Sequence, residues 1–528
     1  KNTLQSTTQA LLSMPSSSHD IVLLGINARY RHTAFGLRYL KANLGELESR
    51  SVLLETTISQ YPMEIVERVL KLQPRIVGLG VYVWNTDLCL QVVQLLKTIR
   101  PDLVLVLGGP EISYETESQQ LSGLADYIVC GEGEAAFKTL CRDVLEGRRP
   151  KQHVIQGTAL PMSQIASPYR LYSDEDIEKR VTYVEASRGC PYRCQFCLSS
   201  LDKAVRAVEP DSFFADMNEL IERGARDFKF IDRTFNLNIS FSLAILEFFL
   251  KHEKQGFALH FEMVPDRLPD ELRFALQRFE PGVVQLEIGI QTFNPDVSKR
   301  IQRPQRIERI TENLKFLRKH TEMYLHVDLI VGLPGETLTS FGEGFDRLVE
   351  LEPHEIQVGI LKRLKGTPIV AHDDEFQMKY SPLAPFEILS TADLSFEETQ
   401  EMKCFAKYWD MVVNKGQFNC AAPLIWKNKD SAFDAFRVFS RWLFERLGRT
   451  SHVNLLRLAE HLFEFLIADG GVDERVAGTA LVEDLHRTGG RSIPERLQPF
   501  QTKPTPPRSS MMQSAGRKRQ SRRLSDGR

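Results

Sequence analysis

The sequence predicts an α/β protein in three parts: a doubly wound parallel sheet, a partial (β/α)6 barrel and a mostly α-helical C-terminal domain. Three observations carry this prediction. Apolar runs alternate with helical stretches between Ile21 and Gly131. Six further strand–helix units follow between Val181 and Leu361. Beyond them, helical patterns continue to about Leu485 with few strand signals. Alternating strands and helices are the signature of parallel sheets covered on both faces.

In the first part the strands are I-V-L-L-G-I (Ile21 to Ile26), S-V-L-L-E (Ser51 to Glu55), R-I-V-G-L-G-V (Arg75 to Val81), L-V-L-V-L-G-G (Leu103 to Gly109) and D-Y-I-V-C-G (Asp126 to Gly131). Helices are expected between them, as at Phe35 to Glu48 and Thr86 to Ile99. The result is a Rossmann-like sheet, and such sheets bind ligands beyond the carboxyl ends of their strands. Those ends carry Asn27 to Gly36, Val83-Trp84-Asn85, Gly108-Gly109-Pro110-Glu111 and Gly131-Glu132-Gly133-Glu134. Glycine there lets a bulky ligand approach the backbone. No G-x-G-x-x-G follows the first strand, which argues against a dinucleotide.

The barrel strands start at Val181, Asp227, Phe257, Val283, Tyr324 and Glu355. In Arg306 to His320, Ile307, Ile310, Leu314 and Leu317 recur at three and four, marking an amphipathic helix. Barrel chemistry sits at the carboxyl ends of strands. That rule nominates Asp232, Glu262, Glu287, Gln291, Asp328 and Gln357, the alternative being ordinary satisfied barrel polar groups. The expected boundaries are 1–18 (flexible lead), 19–148 (first domain), 149–178 (Pro-containing linker), 179–372 (barrel), 373–490 (helical domain) and 491–528 (disordered basic tail). Trp409, Trp426 and Trp442 read as core or lid residues.

After the first barrel strand comes S-R-G-C-P-Y-R-C-Q-F-C-L-S-S, Ser187 to Ser200. Cys190, Cys194 and Cys197 are separated by three and then two residues, a spacing that turns three thiolates onto one face of an iron–sulfur cube. Three ligands leave one iron open. Zinc loops instead favour paired C-x2-C knuckles, and the sequence has no second knuckle. The other cysteines, Cys89, Cys130, Cys141, Cys404 and Cys420, are scattered, so no disulfide framework is expected and a reducing cytoplasm is.

This loop, with Phe196 before the third cysteine, resembles the signature of the radical S-adenosylmethionine (SAM) superfamily. The resemblance implies that Cys190, Cys194 and Cys197 bind a [4Fe–4S] cluster. Its open iron chelates SAM, which one electron cleaves to a 5′-deoxyadenosyl radical. E-I-G-I-Q-T-F-N-P (Glu287 to Pro295) and L-I-V-G-L-P-G-E-T (Leu329 to Thr337) resemble segments flanking SAM, implying roles for Glu287, Gln291, Gly332 and Pro334. The first domain resembles the cobalamin-binding domain found in such enzymes, and the helical end resembles a C-terminal domain of unknown function that accompanies them. Gly108, Gly109, Gly131, Glu132, Trp84 and His32 are the cobalamin candidates. His32 lacks the D-x-H-x-x-G context, since Tyr30 precedes it by two and Gly36 follows by four. Cobalamin without a histidine lower ligand is therefore expected.

The activity implied is methyl transfer to an unactivated carbon of a small-molecule or natural-product substrate, with an electron donor such as flavodoxin or ferredoxin. The alternatives are a radical SAM cyclisation or rearrangement, and a non-catalytic cobalamin or redox sensor. Methylthio transfer is disfavoured because the remaining cysteines are not grouped. Of 528 residues, 42% are hydrophobic and 26% charged, with a net charge of −2. This balance argues against broad electrostatic binding to nucleic acid. No apolar run reaches the ~20 residues of a membrane span, and the N-terminus lacks a signal-peptide core.

Overall fold

The computed structural model describes residues 19–488 and 492–501. The lead, 1–18, and most of the expected tail lie outside the described residues. The first sheet has six parallel strands in the order β2-β1-β3-β4-β5-β6. They are β1 (Ile21–Asn27), β2 (Ser51–Thr57), β3 (Ile76–Gly80), β4 (Val104–Gly108), β5 (Tyr127–Cys130) and β6 (Val154–Gln156). The strand β1 is buried along its length because it has helices on both sides. Period-two alternation splits its side chains between two cores. Val22, Leu24 and Ile26 pack with Ile65, Val69, Cys89 and Val92, whereas Ile21 and Leu23 meet Leu37, Phe137 and Leu140.

Strand β6 corrects the expected linker: half-exposed Val154 and Ile155 and exposed Gln156 pair with β5 at the sheet edge. The helix Asp174–Lys179, capped by Ser173, lies in the same stretch. The first helix ends at Ala42 rather than Glu48, and a 3-10 turn follows from Gly45, whose φ is +59°.

The second sheet is the half-barrel, six parallel strands in the order β14-β13-β12-β11-β10-β7. Strand β7 (Thr182–Val184) leads into the short β8 (Ser187–Arg188), which pairs with β9 (Arg206–Ala207). Then come β10 (Asp227–Phe230), β11 (Ala258–Met263), β12 (Val284–Gln291), β13 (Tyr324–Val331) and β14 (Glu355–Ile360). Burial alternates strictly along β11 and β12. Leu259, Phe261, Leu286 and Ile288 face the helices; His260, Glu262 and Glu287 face a polar lumen.

The helical C-terminal part shares one core with the barrel. Phe345 of the helix Leu338–Glu350 meets Phe405 and Trp409 at ring distances of 5.2 and 4.7 Å. Trp409 and Trp442 are buried and Trp426 half-buried beside Trp409, so the tryptophans are core. Asn414 bonds both the N–H and the carbonyl of Ile356 on edge strand β14, at 3.1 and 2.9 Å. This covers an edge that would otherwise seek a partner. The tail corrects the expectation at its start: residues 492–501 include the turn Glu495–Phe500, held by buried Leu497. Among the described residues no helix is long and apolar enough to cross a membrane.

Candidate functional site

The cysteine loop is held from several directions. Gly189 takes φ +96°, and a Cβ there would lie 2.3 Å from the Ala204 carbonyl oxygen, so only glycine lets the β8–β9 hairpin close. The Cys190 N–H donates to the Asp202 carbonyl (3.0 Å) and that of Gln195 to the Ile301 carbonyl (3.0 Å). Phe196 packs into an apolar cluster with Ile301, Leu333 and Ile388. Below the loop, Asp232 accepts from the Ala186 N–H (2.9 Å) and Ser187 Oγ (2.6 Å). Burial raises its pKa to about 7 against those two bonds.

All three thiols open onto one cavity of about 220 Å3, shared with Glu262, Glu287, Gln291, Asp328 and Arg303. Among the described residues no three Cys, His, Asp or Glu side chains gather tightly enough for a single ion. Arg303 Nη1 donates to Cys194 Sγ at 3.2 Å. Burial pushes the Cys194 thiol up, and Arg303 opposes it. Gln291 adopts φ +74° at a bulge ending β12, an uncommon conformation for a non-glycine residue.

Deeper in the lumen, Glu287 accepts from His260 Nε2 (2.7 Å) and lies 3.5 Å from Lys229 Nζ. Burial alone would raise its carboxyl, but His260 and Lys229 outweigh burial and hold it well below the usual range. His326 sits between Asp328 (3.1 Å) and Glu355 (3.2 Å). Burial disfavours its charge, yet the two carboxylates raise its pKa to about 10. Burial raises the Glu262 and Asp328 carboxyls.

A second cavity, of about 490 Å3, lies between the first sheet and the cysteine loop. Its floor is glycine at the ends of β3, β4 and β5: Gly80, Gly108, Gly109, Gly131 and Gly133. Gly109 has φ +102°, and a Cβ there would lie 2.6 Å from the Val81 carbonyl oxygen. Tyr39, Tyr82, Leu37 and Phe137 line its walls, with Arg188 and Arg233 on the barrel side. Carboxylates of the G-E-G-E turn tie the two domains together. Glu132 pairs with Arg206 and Arg188, and Glu134 with Arg188 at 2.8 Å. The G-G-P-E turn is tied likewise, Glu111 pairing with Lys365.

Family comparisons agree with this geometry. Residues 184–348 match the radical SAM superfamily, residues 21–141 the B12 binding domain and residues 374–518 a protein family of unknown function, DUF4080. The chain is a cobalamin-binding radical SAM protein. An uncharacterized methyltransferase of Pyrococcus horikoshii is 24% identical over 57% of the chain and 70% of its own length. A tRNA-2-methylthio-N(6)-dimethylallyladenosine synthase of Acinetobacter baumannii is 24% identical over 52% of the chain, which spans 59% of that relative. The cobalamin-dependent radical SAM methyltransferase TokK of Streptomyces tokunonensis is 25% identical over 55% of the chain and 47% of its own length. In fold, the chain resembles the cobalamin-dependent SAM radical enzyme OxsB, with a TM-score of 0.59, 14% identity and coverage of 89% of this chain and 80% of that one.

The matched domains bring a [4Fe–4S] cluster, SAM and cobalamin as cofactors. Radical SAM enzymes draw the electron that cleaves SAM from a reductant. The cavities of this radical SAM protein fit these groups: three thiols and a guanidinium around one, a glycine cradle with apolar and aromatic walls in the other.

Of the residues nominated from sequence, Glu262, Glu287, Gln291 and Asp328 reach the cysteine cavity. Gln357 pairs in register with Asp328 and is exposed. Asp232 does not line that cavity; its carboxylate is committed to the loop backbone. Nor does Gly332, against which Ile388 packs. Gly108, Gly109, Gly131 and Glu132 line the glycine cavity. His32 and Trp84 do not. His32 Nδ1 is 2.7 Å from Tyr183 Oη, because its loop turns against the barrel and the Arg31 carbonyl accepts from the Val181 N–H. Trp84 stacks on Tyr82 at 4.4 Å, and Tyr82 is the ring that lines the wall. Sequence reasoning missed Arg188, Arg233, Arg303, Tyr39 and Tyr82. A basic residue twelve positions after Gln291, in Q-R-P, was the one local hint of Arg303.

Proposed function

We propose that the protein is a cobalamin-dependent radical SAM methyltransferase that methylates an unactivated carbon of a small-molecule substrate. The observation that carries this reading is the meeting of the two cavities: Ser199 and Arg233 line both. A substrate at that junction lies between the cysteine loop and the glycine cradle. When bound, the cluster supplies the electron that cleaves SAM to a 5′-deoxyadenosyl radical, and cobalamin supplies a carrier for the methyl group. Cys190, Cys194 and Cys197 are the cluster ligands in this reading, leaving one coordination position for SAM. Glu262, Glu287, Gln291 and Asp328 offer acceptors and an amide to the polar groups of SAM. Gly108, Gly109 and Gly131 give backbone room for the corrin. The barrel and first sheet partly enclose the cavity between them, which limits the water around a radical.

The functional division follows the boundaries 19–148, 179–372 and 373–490. The methyltransferases among the relatives support methyl transfer. The electron donor in this reading is a small redox protein such as flavodoxin or ferredoxin, and nucleic acid is not a substrate. All eight cysteines are unpaired thiols, which suits a reducing cytoplasm. The test is anaerobic reconstitution with iron, sulfide and hydroxocobalamin, then SAM and dithionite. Release of 5′-deoxyadenosine and S-adenosylhomocysteine supports the proposal. 5′-Deoxyadenosine alone would point to rearrangement without methyl transfer, and neither product to a sensor.

A further inference from the structure

Arg188, Arg303 and Arg233 line the two cavities and Arg206 shares Glu132 with Arg188; of the four, all but Arg233 make two or more bonds to protein groups. Arg188 serves Glu132, Glu134 and Glu185. Arg206 serves Glu132, Asp202 and the Leu160 carbonyl. Arg303 donates to Cys194 Sγ and the Gly289 carbonyl. Arg233 differs. Its one ion pair among the described residues is with Glu262 at 3.5 Å, Cys197 and Glu287 add attraction from nearby, and its side chain is 55% exposed. That exposure is to the cavities, since Arg233 lines both.

The segment that presents Arg233 is pinned on either side. Asp232 is fixed by Ala186 and Ser187. Asn236 bonds the carbonyl (2.9 Å) and the N–H (3.0 Å) of Val264. The guanidinium therefore projects from a fixed backbone into the junction, beside Ser199. The carboxylates of Glu132, Glu134, Glu185 and Asp202 are already neutralised by Arg188 and Arg206. A guanidinium with one ion pair and room left toward a partly enclosed space suits one chemistry above others, the oxygens of a carboxylate or phosphate.

We propose that Arg233 is the substrate anchor: the substrate carries a carboxylate or phosphate group that Arg233 binds, holding the reacting carbon where the two cavities meet. This rests on the methyltransferase reading and adds the chemical class of the substrate to it.

The experiment titrates the reconstituted protein with inorganic phosphate and, separately, with acetate. Binding is read from 31P and 13C ligand line widths, which require no turnover. Wild type is expected to bind at least one anion saturably, with Arg233→Gln weakening it about tenfold or more and Arg233→Lys restoring part of the affinity. Phosphate without acetate assigns a phosphorylated substrate, and the reverse a carboxylic acid. Circular dichroism, iron and cobalamin content and the SAM-induced change in the cluster spectrum are measured on the same samples. The proposal is overturned if neither anion saturates, if Arg233→Gln binds as wild type does, or if that variant loses SAM or cobalamin binding while anion affinity stays constant. Absence of cobalamin from every sample, with anion binding still dependent on Arg233, would count against the methyltransferase reading and leave the anchor standing.

Discussion

Arg303 donates a hydrogen bond from Nη1 to Cys194 Sγ at 3.2 Å, across 109 residues of sequence. Its other arm reaches the Gly289 carbonyl on the neighbouring strand β12. The cluster loop is thus tied electrostatically to the wall that carries Glu287 and Gln291. Hydrogen bonds to cluster sulfurs and nearby positive charge favour the reduced state. Arg303→Met should therefore shift the cluster's reduction potential to more negative values and slow 5′-deoxyadenosine release by about tenfold to a hundredfold. Redox titration followed by electron paramagnetic resonance checks the direction; an unchanged potential would mean the contact is only structural.

Arg188 gathers three carboxylates, two from the first domain and one from β7's extension, and lies over the Tyr39 ring at 4.8 Å. Its side chain is 17% exposed. Replacing it by glutamine leaves several partly buried negative charges together, a loss of about 3–5 kcal/mol. Urea denaturation of Arg188→Gln is expected to show that loss. Arg170→Gln, at an exposed pair with Glu48, is expected to change stability by less than about 1 kcal/mol.

His326 predicts a pH dependence. Its folded-state pKa, about 10, exceeds the ordinary 6.5. Stabilisation from the protonated ring is complete below pH 6.5 and is lost as pH rises through 10. The unfolding free energy of wild type should exceed that of His326→Gln below pH 6.5 by on the order of 1–3 kcal/mol, the gap closing toward pH 10. Parallel stability curves for the two proteins would refute the charged imidazolium.

The position of His32 predicts that His32→Ala keeps its full complement of cobalamin. The cob(II)alamin resonance should lack nitrogen splitting from a histidine in wild type and variant alike. Gly109→Ala is the contrasting change: its Cβ would meet the Val81 carbonyl at 2.6 Å in a backbone conformation that alanine resists. That variant is expected to lose cobalamin, measured as cobalt per protein after reconstitution.

The pattern of successes and misses has a physical basis. Strands β1 and β4 were legible because strands covered on both faces are continuous apolar runs. Strand β6 was not, since three edge residues, none of them buried, carry no periodic signal. Cys190, Cys194 and Cys197 were legible because their geometry is set by local spacing. Arg303 and Arg188 act across 109 and 54 residues, where spacing carries no information. His32 and Trp84 lie in the expected loops, but side-chain direction there is decided by Tyr183 and Tyr82. Asp232 was nominated as a strand-end site residue, but its carboxylate bonds the Ala186 N–H and Ser187 Oγ, a contact across 45 residues that spacing does not reveal.

The central claim is an iron–sulfur cluster with a coordination site open to SAM, held by Cys190, Cys194 and Cys197. The most direct measurement is the electron paramagnetic resonance spectrum of the dithionite-reduced, anaerobically reconstituted protein, recorded with and without SAM. A four-iron signal that changes on SAM addition, and is lost in Cys197→Ala, is the predicted result. A signal indifferent to SAM, or four-iron loading that survives Cys197→Ala unchanged, would contradict the account.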